Sequence, residues 1–224
     1  MTPLDFPQAV ARLCLLAQSG RDRVFVALAG VPGSGKSTLA AALAAEVNRR
    51  LHPSAMVALS MDGFHLPKAT LRALPNPAEV FARRGAPWTF DPAGLAAQLV
   101  ALRAAAGLVW APWPDFEHGT GDPVERKNAV APQTRLVLVE GLYLLLREDG
   151  WGAVADAFDE RWFLETPLAV ALQRLAVRHM ASWKVTPEQA AARIDGNDRL
   201  NAEIVLATRA RAEWLLSGEA PLCR

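Results

Sequence analysis

Hydrophobic positions in this chain follow two rhythms that alternate. Short apolar runs mark the first: Val24-Phe25-Val26-Ala27-Leu28, Met56 to Met61, Leu136-Val137-Leu138-Val139 and Arg161 to Glu165. Runs of this length predict strands, and the purely apolar ones predict strands buried on both faces. The second rhythm is helical. Val10, Leu13 and Ala17 follow Pro7 and stop at Gly20, while Leu39, Leu43 and Val47 follow Lys36 and end before Pro53. Leu95, Leu99 and Leu102 follow Asp91-Pro92, a cap with a first-turn proline, and stop at Gly107. A further helix is expected from Pro167 to about Ala181, and another from the capping-box spacing Thr186-Pro187-Glu188-Gln189. Ala212 to Leu216 is expected to return as a last strand, and Leu108 to Trp113 to be extended. Prolines crowd the stretch from Gly63 to Asp91, which predicts loops and short helices, and Pro114 to Pro132 reads as a polar, turn-rich insertion over a site.

Strands that alternate with helices predict an α/β fold whose parallel sheet carries helices on both faces. Ligands on such sheets bind beyond the carboxyl ends of the strands, so chemistry-bearing residues are expected directly after strands.

The 224 residues suit one domain, or one domain with a small insertion. A hydrophobic share of 51% with 21% charged residues excludes wholesale disorder. Lys and Arg (24) nearly balance Asp and Glu (23) without a basic cluster, which argues against a nucleic-acid partner. Cys14 and Cys223 stand near opposite ends and form no ligand spacing, as in a reduced, cytoplasmic protein. No stretch reaches the roughly 18 apolar residues of a membrane span, and Asp5 and Pro7 precede the first apolar positions where a secretory leader would be positively charged.

Gly30-Val31-Pro32-Gly33-Ser34-Gly35-Lys36-Ser37 follows the first strand and opens a helix, and it fits the phosphate-loop pattern G-x-x-x-x-G-K-[ST]. Its glycines let successive backbone N–H groups turn toward phosphate oxygens, and the helix that begins there adds its positive end. Lys36 is placed to neutralise the outer phosphates and Ser37 to hold Mg²⁺. Glu140 ends the strand Leu136 to Val139, where an acidic residue can orient the same metal or its waters. Asp62 ends the strand that starts at Met56 and is suited to take a proton from an attacking hydroxyl; taken alone, Asp62-Gly63 reads more readily as a surface turn. Arg174 and Arg178 lie four apart, on one face of their helix.

The phosphate loop, Asp62-Gly63-Phe64-His65, Arg83-Arg84-Gly85-Ala86-Pro87-Trp88-Thr89-Phe90-Asp91, Pro114-Asp115-Phe116-Glu117-His118 and Val139-Glu140-Gly141 occur in an order that resembles the P-loop kinase family of phosphoribulokinase, uridine kinase and bacterial pantothenate kinase. The Arg-Arg-Gly-x-Pro-x-Thr-Phe-Asp run is most similar to the pantothenate kinase branch and to fructose-transport-associated sugar kinases. The likeness covers about residues 24 to 216. It implies a P-loop NTPase fold, a three-layer α/β/α sandwich with a mostly parallel sheet and a small lid at about 167–200, with an acceptor-side insertion at about 63–132. It implies ATP and Mg²⁺, transfer of the γ-phosphoryl group to an alcohol of a small metabolite, and a homodimer as the common assembly.

Residue by residue, the resemblance makes Asp62 the catalytic base. It makes Gly30, Gly33, Ser34, Gly35, Lys36, Ser37 and Thr38 the phosphate cradle, Arg174 and Arg178 lid arginines over the triphosphate, and Arg209 part of an adenine-side loop. Ser37 and Glu140 serve the metal; His65, Arg84, Asp91, His118 and Tyr143 line the acceptor pocket. Asn197-Asp198 with Asn201 matches the sugar-kinase branch without an assigned role. Glu117 departs from the smaller Ser or Asp of several relatives, and Gly63 from the Ser usual in uridine kinases, which weakens a nucleoside acceptor. A regulatory nucleotide switch is the rival reading, although the guanine-reading Asn-Lys-x-Asp segment of a GTPase is absent.

Overall fold

A computed structural model describes residues 3–117 and 119–218. Helix α1 (Phe6–Ala17) leads into strand β1 (Val24–Ala29), which the phosphate loop joins to α2 (Lys36–Arg50). Strand β2 (Met56–Ser60) runs into a 3₁₀ turn at Met61–Phe64 and then the short helices α3 (Lys68–Arg72) and α4 (Pro77–Ala82). Helix α5 (Pro92–Ala104), a hairpin of β3 (Ala111–Glu117) and β4 (Asp122–Val130), and β5 (Leu136–Gly141) follow. The chain closes with α6 (Gly152–Asp156), β6 (Glu160–Glu165), α7 (Leu168–Trp183), α8 (Pro187–Arg193), α9 (Arg199–Ala207) and β7 (Trp214–Ser217).

Five strands form a wholly parallel sheet in the order β2-β5-β1-β6-β7. Every residue of β1 and β5 is buried, so both strands read as unbroken apolar runs up to Glu140. Alternation within β1 splits the core into two layers. Val24, Val26 and Leu28 pack under Leu13 of α1 and Leu39 and Leu43 of α2. Phe25, Ala27 and Ala29 face the layer that contains Leu95 and Leu99 of α5, Ala171 of α7 and Val205 of α9. The three-layer α/β/α expectation therefore holds.

Two devices close the sheet away from the site. Backbone bonds from Leu4 N to Leu215 O (2.7 Å) and from Ser217 N to Leu4 O (3.1 Å) cover the outer edge of β7. Arg23, 2% exposed, donates to four backbone carbonyls: Leu102 (2.5 Å), Ala131 (2.9 Å), Thr134 (2.9 Å) and Pro132 (3.1 Å). That set ties α5 and the approach to β5 to the start of β1.

The expected elements shift in places. Leu108–Trp110 is not a strand; β3 starts at Ala111 and runs on to Glu117. The stretch expected to be an irregular insertion is an antiparallel hairpin with an irregularity between Trp113 and Asp115. Beyond α8 the chain keeps coiling through a π-helical turn at Ile194–Asp198 into α9, so helix continues past the end expected for the lid, to Ala207.

Candidate active site

The carboxyl ends of β1, β2 and β5 meet at one rim, and each delivers a functional group. From β1 the chain enters the loop Gly30–Gly35 and turns into α2 at Gly35, whose φ of 93° is left-handed. No side chain caps this 15-residue helix, so the first-turn N–H groups remain directed at whatever occupies the loop. Gly33 has φ +76°, and a Cβ there would overlap the Ala171 carbonyl and lie 2.8 Å from Leu175 Cγ. Glycine thus lets the loop pass directly beneath α7. The Ser34 hydroxyl is buried without a hydrogen-bond partner, an orphan donor in a cradle shaped for an anion.

Lys36, 8% exposed, folds back so that Nζ donates to Val31 O at 3.1 Å. Burial pushes its pKa down; the charges of Glu140 and Asp62 pull it up, and that of Arg178 pushes it down. Glu140 is 7% exposed, and burial raises its carboxyl pKa, with Lys36 opposing and Asp62 reinforcing the rise. The Ser37 hydroxyl donates to Glu140 Oε1 at 2.9 Å, and Ser60 bonds the same carboxylate. Lys36, the carboxylates of Glu140 and Asp62, and the Arg178 guanidinium thus share one electrostatic neighbourhood.

Asp62 sits in the 3₁₀ turn that follows β2. Ser60 Oγ accepts from the Asp62 N–H at 3.2 Å and fixes the turn. Gly63 explains the next residue: its Cβ would overlap the Pro114 carbonyl and lie 2.8 Å from Asp115 N. The hairpin therefore lies against the turn that carries Asp62, and Trp113 Nε1 secures it by donating to Ser60 O at 2.9 Å. A cleft of about 350 Å³ opens beside Ser37, Ser60 and Glu140, with Asp115 and Asn128 of the hairpin on its far wall.

Arg174 Nη1 donates to Ser34 O at 3.2 Å, and Arg178 stands a turn further along α7, near enough to act on Lys36. Arg174 thus contacts the loop directly, and the charge of Arg178 reaches its lysine. On the acceptor side, His65 Nδ1 lies 2.8 Å from Asp62 O, and its ring is sandwiched between Phe90 (3.9 Å) and Phe116 (4.6 Å). Arg84 lies over the Phe116 ring at 5.5 Å and donates to Leu66 O and Asp122 Oδ1. Thr38 is exposed in the first turn of α2.

Tyr143 is used differently from expectation, and Asp91 and Arg209 have partners within the protein. Tyr143 is completely buried, and its hydroxyl donates to Gly85 O at 2.6 Å; it braces the acceptor wall from behind instead of lining the pocket. Burial also raises its pKa far above the phenol range. Asp91 caps α5 by accepting from Gly94 N at 2.9 Å, with its own N–H on Phe64 O at 2.8 Å. Arg209 donates through Nε to Glu165 Oε1 at 2.6 Å, an ion pair at the carboxyl end of β6. His118 and Cys223 lie outside the described residues.

Sequence reasoning gave no role to Ser60, Asp115 or Asn128, whose one signal is position at the end of β2 or on the hairpin. It also left Asn197 and Asn201 without a role. Both are 1% exposed, and they help join the lid to the Arg83–Gly85 turn. Among the described residues no group of three or more His, Cys, Asp or Glu forms a metal cage, and no helix is long and apolar enough to cross a membrane.

Comparison with known proteins bears on the fold and the family. No family model matches the chain. A Schizosaccharomyces pombe protein named as a candidate uridine kinase is 40% identical over 186 residues, 83% of this chain and 79% of its own length. The crystal structure of a candidate fructose transport system kinase from Silicibacter sp. TM1040 superposes with a TM-score of 0.80 at 32% identity, covering 92% of this chain and 98% of that one. Phosphoribulokinase from Rhodobacter spheroides shares the fold, with a TM-score of 0.60 at 12% identity over 92% of this chain and 75% of its own. The chain belongs to the P-loop kinase family of uridine kinase and phosphoribulokinase. It is an ATP-dependent kinase that acts on a small-molecule substrate.

Proposed function

We propose that the protein moves the γ-phosphoryl group of ATP to a hydroxyl of a small metabolite, with Asp62 as the general base. One observation carries this reading: Asp62 stands on a Ser60-fixed turn, beside the Lys36–Glu140 pair and under the hairpin. A hydroxyl held there loses its proton to the Asp62 carboxylate as its oxygen forms a bond to the γ-phosphorus. The bond between that phosphorus and the β–γ bridging oxygen breaks, and ADP leaves. Charge builds on the transferring oxygens, and Lys36, the loop N–H groups, Arg174 and Arg178 are the groups available to oppose it.

The donor set fits Mg²⁺. Ser37 Oγ and Glu140 offer hard oxygen ligands and little else, as suits an ion that keeps its waters and binds phosphate. Bound there, Mg²⁺ would neutralise the outer phosphates. The Ser34 hydroxyl and the uncapped start of α2 fit the anion itself.

A sugar such as fructose, a pantothenate-like acid or a nucleoside each supplies the required alcohol, and names among the relatives point to uridine and to fructose transport. The decisive experiment measures ADP release against a panel of sugars, nucleosides and pantothenate. One acceptor is expected to stimulate turnover, and Asp62→Asn to abolish it while nucleotide still binds. Hydrolysis that stays flat across the panel would instead favour a nucleotide switch.

A further inference from the structure

The lid helices and the acceptor wall share one backbone carbonyl, that of Arg84. Arg193 Nη2 and Asn197 Nδ2 both donate to it, each at 3.0 Å, and Arg193 Nη1 reaches Ala82 O at 2.6 Å. Asn201 Nδ2 steadies Asn197 Oδ1 at 3.4 Å, while Arg83 returns a bond to Gly196 O at 3.1 Å. The π-helical turn at Ile194–Asp198 lies between these side chains. Such turns are rare and gather at functional sites.

The other end of the same helical unit touches the phosphate loop. Arg174 bonds Ser34 O, and the Ala171 carbonyl lies against Gly33. His179 Nε2, 2.8 Å from Asp198 Oδ2, ties α7 to the π turn, and its ring stacks on Trp183 at 4.4 Å. Continuous contacts therefore lead from Ser34 through α7 and the π turn to Arg84 O. From there the Arg84 side chain reaches Phe116, Leu66 O and Asp122 on the acceptor wall.

This is a costly way to hold a turn in place. Burial pushes the Arg193 guanidinium pKa down, and its Nε is buried without a partner. An apolar contact would join helix to turn without desolvating a charge.

We propose that Arg193 and Asn197 are positioning residues that transmit nucleotide binding from the phosphate loop to the acceptor wall, so that the wall becomes ordered when ATP is in place. The proposal rests on the kinase reading and adds to it a coupling between its two substrates.

Hydrogen exchange tests it without an acceptor, with Mg²⁺ and a non-hydrolysable ATP analogue as probes. In the native protein the analogue is expected to slow exchange at least severalfold in the phosphate loop and α7, and also at Gly85, Ala86 and Thr89, whose N–H groups bond within the wall. In Asn197→Asp, which loses the donor but keeps the shape, protection of the loop and α7 is expected to persist while that of 85–89 disappears. A purely structural role predicts faster exchange at 85–89 with and without nucleotide, and an unchanged difference between the two states. That result overturns the proposal, as does loop protection with no response at 85–89 in the native protein. No protection anywhere refutes the kinase reading along with it. Arg193→Lys, which keeps the charge and loses the fork, is the second variant should Asn197→Asp fold poorly, and the same loss at 85–89 is expected of it.

Discussion

On the nucleotide side of the cleft, one loop from Gly30 to Ser37 supplies the cradle, the lysine and the hydroxyl, and the neighbouring strand adds Glu140. The acceptor side is assembled from distant segments: the turn after β2, the Arg83–Gly85 turn, Phe90 and the β3–β4 hairpin, held by side chains of the lid. The first plan is contiguous in the chain. The second draws on separate segments, each of which can be altered without the others, a layout that suits one fold to different small-molecule substrates.

Three substitutions separate the two plans, and a fourth serves as a reference outside both. Lys36→Ala removes the central cation of the nucleotide side, and we expect a loss of about 3–4 kcal/mol in transition-state stabilisation, several hundred-fold in turnover. Steady-state ADP release checks it, and near-native turnover would remove Lys36 from the chemistry. Gly63→Ala acts on the acceptor side alone, by pushing the hairpin off the Asp62 turn. A fall in kcat on the order of 100-fold with unchanged nucleotide affinity is expected, because small misplacements near the reacting atoms are expensive. Titration calorimetry with an ATP analogue would show whether the two sides separate this cleanly.

Tyr143→Phe removes one buried donor from Gly85 O. Urea unfolding should show a loss of about 1 kcal/mol, with little effect on nucleotide binding. The smallest effect lies outside both sides. Arg211 holds the Glu148 carboxyl down to about 2, so between that pH and the ordinary carboxylate range the unfolded chain binds the extra proton. The pair's contribution is present above the ordinary range and fades as pH falls toward 2. Glu148→Gln is expected to make stability slightly less sensitive to acid, as read from denaturation midpoints at pH 5 and pH 3.

The same contrast governs what the sequence could reveal. The cradle is contiguous and flanked by the fully buried β1 and by α2 with its buried Leu39, Leu43 and Val47, so periodicity and motif coincide there. The hairpin escaped because β4 reads Asp-Pro-Val-Glu-Arg-Lys-Asn-Ala-Val, without the apolar alternation that marks a half-buried strand. Asn197 and Asn201 escaped for a related reason. Polar residues four apart on a helix normally face water, and nothing local says that these meet the carbonyl of Arg84 and the guanidinium of Arg83. Tyr143 was misplaced because proximity to Glu140 along the chain gives no direction to a side chain. The order of the motifs conveyed the family, while the acceptor wall depends on long-range packing.

The bridge from Leu4 to Leu216 has a practical corollary. It occupies backbone groups of β7 that would otherwise be open to another chain. Removing residues 3 to 5, or placing an affinity tag that tugs on them, would uncover that rim and invite self-association. Expression designs are safer with at least those residues left as they are.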